Sequence, residues 1–263
     1  NLTYSKNKIV FRDEPAMQYA YQKSEGTRYG EFYGYIAEGY FQSEEEIKKS
    51  PRQMRELAPG DIKYKDLNDD GVIDANDQCY LGKSWFPSWS YGMGFNINYH
   101  NFDLALFFQG VSDVSIMANG GSIDTGNGDW GASGVGIVPF TGMGLNPSNV
   151  ITKALDRWTA DNPRADAWYP RMTANATTND NNYVNSTHWL KDGSYLRLKQ
   201  ASLGYTLENK KLMDKGIEYL YFYLSGQNLL TFSKFKLWDP ELGSNGAKYP
   251  LSRMVTLGMR VSF

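Results

Sequence analysis

The sequence predicts an all-β fold: an antiparallel transmembrane β-barrel, with this chain as the C-terminal wall segment of a large barrel carrying long extracellular loops. Three observations carry that expectation. First, Val255, Leu257, Met259, Val261 and Phe263 fall on one face of a strand, and Thr256, Gly258, Arg260 and Ser262 on the other. Side chains alternate across a strand, and a closing barrel strand must be two-faced because its backbone pairs only within the wall. Second, aromatic residues make up 15% of the 263 positions, including 19 Tyr and 13 Phe, which aromatic girdles at two membrane interfaces would explain, as would an aromatic-rich secreted carbohydrate-binding domain. Third, no run approaches the ~18–20 apolar residues a membrane helix needs. With a mean hydropathy of -0.53, only strands with a polar lumen face would cross a bilayer.

The elements follow in order. Residues 1–11 read as a strand, and so do residues 30–41, dense in Tyr and Gly. Residues 44–49 hold a short helical turn. Residues 88–111 are the clearest hairpin. Tyr91, Met93, Phe95, Ile97 and Tyr99 share one face, Gly92, Gly94, Asn96 and Asn98 the other, and a tight turn falls at His100-Asn101. Phe102, Leu104, Leu106 and Phe108 then alternate with Asp103, Ala105, Phe107 and Gln109. In a barrel the apolar set meets lipid while Asn96, Asn98, Asp103 and Gln109 line the lumen; in a soluble sandwich the same apolar set would be the core.

Residues 112–187 are rich in Gly, Asn, Asp and Thr and read as one long loop poor in strand pattern. An extracellular barrel loop tolerates that length and a compact soluble domain does not. Within it, residues 152–159 read as a short helix ended by the Asp161-Asn162-Pro163 turn. Strands resume at 193–207, 217–232 and 251–263, separated by a polar turn at 208–216 and a loop at 233–250. Leu220 to Leu224 is apolar on both faces, so the pattern assigns it no phase. Roughly seven strands are too few for a transporter lumen of ~22 strands. The chain therefore reads as one unit, residues 1–263, that needs the rest of the same barrel and outer-membrane lipid around it.

The second strong signal is the stretch from Asp66 to Asp77, which follows the EF-hand calcium loop at every ligand position but the last. Asp66, Asn68 and Asp70 would supply side-chain oxygens, Gly71 the sharp turn, Val72 its carbonyl and Asp74 a further oxygen. Asp77 stands where a longer bidentate Glu is usual. Calcium takes six to eight oxygens, and carboxylates crowded this closely repel each other without a cation. The alternative is an acidic turn whose Asx side chains bond local backbone. Either role is structural; no open coordination chemistry points to catalysis.

Net charge is -2, from 27 basic and 29 acidic residues, and no basic block suggests nucleic acid. The single cysteine, Cys79, allows no internal disulfide. His100 and His188 are the two histidines, too few for a His-based metal centre. No spacing singles out a carboxylate pair, so no catalytic residue is expected and the chain reads as a non-enzyme. Trp130 and Trp168 in the long loop are candidate substrate contacts, able to stack on a sugar or to pack the loop itself.

Several stretches together resemble the SusC/RagA family of TonB-dependent outer-membrane transporters of Bacteroidetes. Gly34-Tyr35-Ile36-Ala37-Glu38-Gly39-Tyr40-Phe41-Gln42 looks like one family strand, and Pro59-Gly60-Asp61-Ile62-Lys63-Tyr64-Lys65-Asp66 is similar to a family hallmark. The most specific matches are Trp189-Leu190-Lys191-Asp192-Gly193-Ser194-Tyr195-Leu196-Arg197-Leu198-Lys199 and Ser225-Gly226-Gln227-Asn228-Leu229-Leu230-Thr231-Phe232. The resemblance implies a large barrel in the cell outer membrane, filled by an N-terminal plug, covered by a SusD-like lipoprotein lid and energised by a TonB complex, importing glycans or peptides. The plug has no counterpart here, so a longer transporter is expected, with TonB contacted through the missing N-terminal part. Two other readings stand beside it: a secreted glycan-active or glycan-binding module with a dockerin-like calcium loop, and a structural surface barrel or adhesin. Dockerins pair two such loops on helices and this sequence holds one.

Overall fold

A computed structural model describes residues 1–119, 151–172, 181–246 and 249–263. In chain order the strands are β1 (Leu2–Tyr4), β2 (Glu31–Gly34), β3 (Ala37–Tyr40), β4 (Ile62–Tyr64), β5 (Cys79–Ser84) and β6 (Trp89–Tyr99). They continue as β7 (Phe102–Ser112), β8 (Ser115–Met117), β9 (Leu190–Asp192), β10 (Tyr195–Leu207), β11 (Tyr219–Ser233) and β12 (Met254–Ser262). Two short helices are α1 (Glu44–Lys49), capped by the Ser43 hydroxyl, and α2 (Lys210–Met213), capped by Asn209.

Six strands make one antiparallel sheet in the order β1-β6-β7-β10-β11-β12. Its five long strands run 9 to 15 residues, enough to cross a bilayer when tilted. Register lines up the apolar residues in rows. Met93, Phe108, Leu198 and Leu230 lie across from one another, as do Ile97, Leu104, Leu203, Leu224 and Leu257. Below them Tyr99, Phe102, Tyr205, Phe222 and Met259 form a largely aromatic row. These side chains stand open; Leu257 is 80% exposed. A sheet with an exposed apolar face of this extent needs a lipid neighbour.

The opposite face is polar. Asn98, Asp103, Gly204, Tyr223 and Gly258 share one row. Tyr221 donates to Asp103 Oδ2 at 2.9 Å, and Gly204 sits directly beneath, where a Cβ would collide with both groups. The register settles the phase of Leu220 to Leu224: Leu220, Phe222 and Leu224 face outward with the other apolar rows, and Tyr221 and Tyr223 face in. A bulge between Leu198 and Gln200, opposite Asn228 at φ 53, shifts the alternation by one. Leu196 and Leu198 thereby share a face with Ala201, Leu203 and Tyr205, which strict alternation would not allow.

The connections are unequal. Turns at His100-Asn101 and 208–218 close one end of the wall; segments 5–88, 113–194 and 234–253 all leave from the other. Outer-membrane barrels have short periplasmic turns and long extracellular loops, so the long-loop end is the outside. There the small sheets β2-β5, β3-β4 and β8-β9 pack a separate core around Tyr40, Ile62, Tyr64, Tyr169, Tyr183 and Trp189.

Several expectations are corrected. The strand expected over 1–11 is only Leu2–Tyr4, because Ile9 leaves the wall to exchange backbone bonds with Gly26 and Thr27. Residues 30–41 are two strands outside the wall, split where Tyr35 bonds Asn185 and Thr187. The region 112–187 holds more structure than a loop: its described residues include β8 and the buried Trp158, Tyr169 and Tyr183. The helix expected at 152–159 is a 3-10 turn, Thr152–Leu155, since Asp156 and Trp158 pair with Tyr169 instead.

Candidate functional site

Three features of the outer end carry chemistry. The first is the polar scaffold of the loop core. Asp61, 1% exposed, accepts two bonds from Arg171 at 2.9 and 2.8 Å and a third from Asn182 at 2.8 Å. Tyr64 donates to the Asn181 carbonyl at 2.6 Å, and Trp189 Nε1 to the Asn182 carbonyl at 2.7 Å. A buried carboxylate is tolerated only when its lone pairs are met in this way. The network ties residues 61–64 to Arg171, Asn181, Asn182 and Trp189 and fixes the outer core.

The second feature is the acidic loop. Gly71 is at φ 81 and Asp69 at φ 57, so the chain makes the sharp turn the sequence implied. The aspartates wind the loop through backbone bonds: Gly71 N–H donates to Asp66 Oδ2, Val72 N–H to Asp70 Oδ1 and Asn76 N–H to Asp74 Oδ1. Asp77 is wholly buried, and its two oxygens accept from Leu67 and Asp74. Ile73 anchors the loop in the core while Arg52 bonds Gly71 and Ile73 on either side. Among the described residues, no three His, Cys, Asp or Glu side chains converge as a metal cluster. One atom is left over: Asp66 Oδ1 is buried and without a hydrogen-bond partner, as an oxygen reserved for a cation would be. Asn68 keeps its Oδ1 on Asp70 N–H, and the Val72 carbonyl stays at the loop's seventh position.

The third feature surrounds Trp168. Its ring packs edge-on against Tyr169 and Trp189, at 4.5 and 5.4 Å between centroids, and Lys191 Nζ lies 5.3 Å from its centre. Beside it opens a cavity of about 610 Å³. Trp130 lies outside the described residues. His188, next to Trp168, donates through Nε2 to the Trp168 carbonyl at 3.1 Å and lies 3.3 Å from the Tyr40 hydroxyl; burial holds its pKa down to about 4, so it is neutral at pH 7. No local pattern marks this cavity, since its lining comes from separate stretches at 152–156, Trp168, 191–192 and 234–237. Nor did it single out Arg197, 2% exposed on the inner face of β10. Arg197 binds Asp239 at 2.5 Å and Glu241 at 3.4 Å, holding the 233–250 loop against the wall.

Comparison with known proteins agrees with this geometry. No family model matches the chain. TonB-dependent receptor P26 of Formosa agariphila is 30% identical over 241 residues, covering 86% of this chain and 22% of the receptor. TonB-dependent receptor P3 of the same organism is 28% identical, covering 91% and 22%. Among solved structures, the RagAB peptide importer in its open-open state superposes with a TM-score of 0.64 at 22% identity, over 99% of this chain and 26% of that one. The chain is similar in sequence to TonB-dependent receptors and in fold to part of the RagAB importer. It spans about a quarter or less of the length of these relatives, as a partial segment of such a barrel. The six-stranded wall lies in the outer membrane, apolar rows outward and loop core outside. No helix among the described residues is long and apolar enough to cross a membrane; the strands do so.

Proposed function

We propose that the chain forms part of the wall of an outer-membrane importer of glycans or peptides, driven by a TonB complex and covered by a SusD-like lipoprotein. The observation that carries this reading is the pairing of a two-faced wall with an organised outer core, in a chain similar to receptors named TonB-dependent and to a peptide importer. Such a chain would act by lining a path and shaping its outer mouth, without catalytic residues of its own. The test is uptake of fluorescent oligopeptides and oligosaccharides by cells with and without the full-length receptor. Loss of one class of cargo on deletion, and equal loss when the proton-motive force is collapsed, would support import. Unchanged uptake of both classes would rule it out.

For the acidic loop we propose a structural calcium ion held by Asp66, Asn68, Asp70, the Val72 carbonyl and Asp74, with Asp77 shaping the loop through backbone bonds. The orphaned Asp66 oxygen supports it. The ion would order the loop and neutralise its charge. Terbium luminescence of the full-length receptor would test this: an emission signal lost in Asp66→Asn is expected, and its absence in the unaltered protein would contradict it.

A further inference from the structure

The 610 Å³ cavity is formed by the 152–156 turn, β9 and the stretch after β11, with Trp168 on its side. Lys153, Lys191, Lys234 and Lys236 reach it, against the carboxylates Asp156 and Asp192. Asp156 is already engaged by Lys153 at 2.7 Å and by Arg164. Asp192 accepts the Ser194 N–H at 2.9 Å. Lys191 donates to the His188 carbonyl at 2.6 Å. Leu155, Phe235 and Leu237 supply the apolar part of the lining. Pockets of this size with an apolar lining and a few convergent charges are the usual form of a ligand site.

We propose that this cavity receives an acidic stretch of a peptide cargo, its carboxylates against Lys191, Lys234 and Lys236 and a neighbouring apolar side chain on Leu155 and Leu237. The proposal rests on the import reading and narrows its cargo. Trp168, the ring a sugar would stack on, already carries Lys191 over its face and Tyr169 and Trp189 at its edges. The remaining lining is Leu155, Phe235 and Leu237 beside the lysines, with Asp156 and Asp192 already engaged, which suits carboxylates and apolar side chains better than a sugar's hydroxyl pattern. Burial and nearby Lys153 lower the Lys191 pKa, so an anion beside that ammonium relieves an existing cost.

The test uses the full-length receptor with its partner, in detergent, and a fluorescein-labelled Leu-Glu-Leu-Glu-Leu-Glu peptide. Lys234 and Lys236 are exposed, so the double variant Lys234→Gln/Lys236→Gln should fold normally, checked by heat-modifiable mobility. Binding of the acidic peptide should weaken roughly tenfold and lose part of its salt dependence. The same peptide with Gln for Glu should bind weakly to both proteins. Equal binding of the two peptides, no effect of the double variant, or preference for oligogalacturonate would each overturn the proposal. If cells still import the Gln peptide through both proteins, import stands and the acidic site falls. If wild-type cells import neither peptide nor oligogalacturonate, the import reading itself falls.

Discussion

The wall and the outer loop core bury their apolar residues in opposite directions. In the wall, Leu203, Leu224 and Leu257 line one open row, stabilised by backbone ladders and by lipid. In the loop core, Trp189, Tyr64 and Tyr169 are fully enclosed, and the polar network around Asp61 reaches Tyr64 and Trp189. An exposed leucine is thus correctly placed in one region and would be a defect in the other. The solvent on each side decides which, and mutations should therefore separate the two regions.

The largest expected effect is in the core. Trp189→Ala removes a wholly buried ring that packs against Trp168, Tyr169 and Tyr183, at a cost of ~3–5 kcal/mol. Limited proteolysis should show the outer segments cut while the wall keeps its heat-modifiable mobility. Equal loss of both would mean that wall and core are one cooperative unit.

Next comes the wall. Leu224→Arg puts a charge on the lipid face and should cost ~2–4 kcal/mol near the midplane. Ser225→Arg, one residue along and facing in, should cost far less. Urea unfolding in liposomes would measure both, and comparable costs would break the assignment of faces.

A pH effect should be confined to the core. The folded pKa of His188 is depressed to about 4 from an ordinary 6.5, so the folded state binds fewer protons than the unfolded one between those values. Its contribution is present above pH ~6.5 and lost as pH falls toward ~4, a change on the order of 3 kcal/mol. Amide exchange should rise in 181–191 across that window and stay flat in β11. His188→Gln should flatten the core response.

The smallest effect expected is Ser43→Ala, which removes the cap on Glu46 N–H and should cost ~1 kcal/mol. Exchange protection should fall in α1 alone.

The two regions also differ in how far they were legible. Period-two alternation wrote the 88–111 hairpin and the last strand into the sequence, because each wall residue answers to lipid or lumen by its parity. The bulge at Leu198–Gln200 and the phase of Leu220 to Leu224 needed the neighbouring strands. The core was missed because its residues, from Phe32 to Trp189, meet across long separations and leave no local period. The EF-hand spacing did show the turn at Gly71. The bonds that commit both Asp77 oxygens to backbone N–H groups were not readable there, nor were the lysines that the fold gathers beside Trp168.

The most direct test of the two-faced wall is a single-cysteine scan from Val255 to Val261 in the full-length receptor in outer membranes, with Cys79 replaced by Ser. Spin labels at Val255, Leu257, Met259 and Val261 should be relaxed by lipid-soluble oxygen, and those at Thr256, Gly258 and Arg260 by a water-soluble nickel chelate. A flat profile, or water access at Leu257, would contradict the membrane wall.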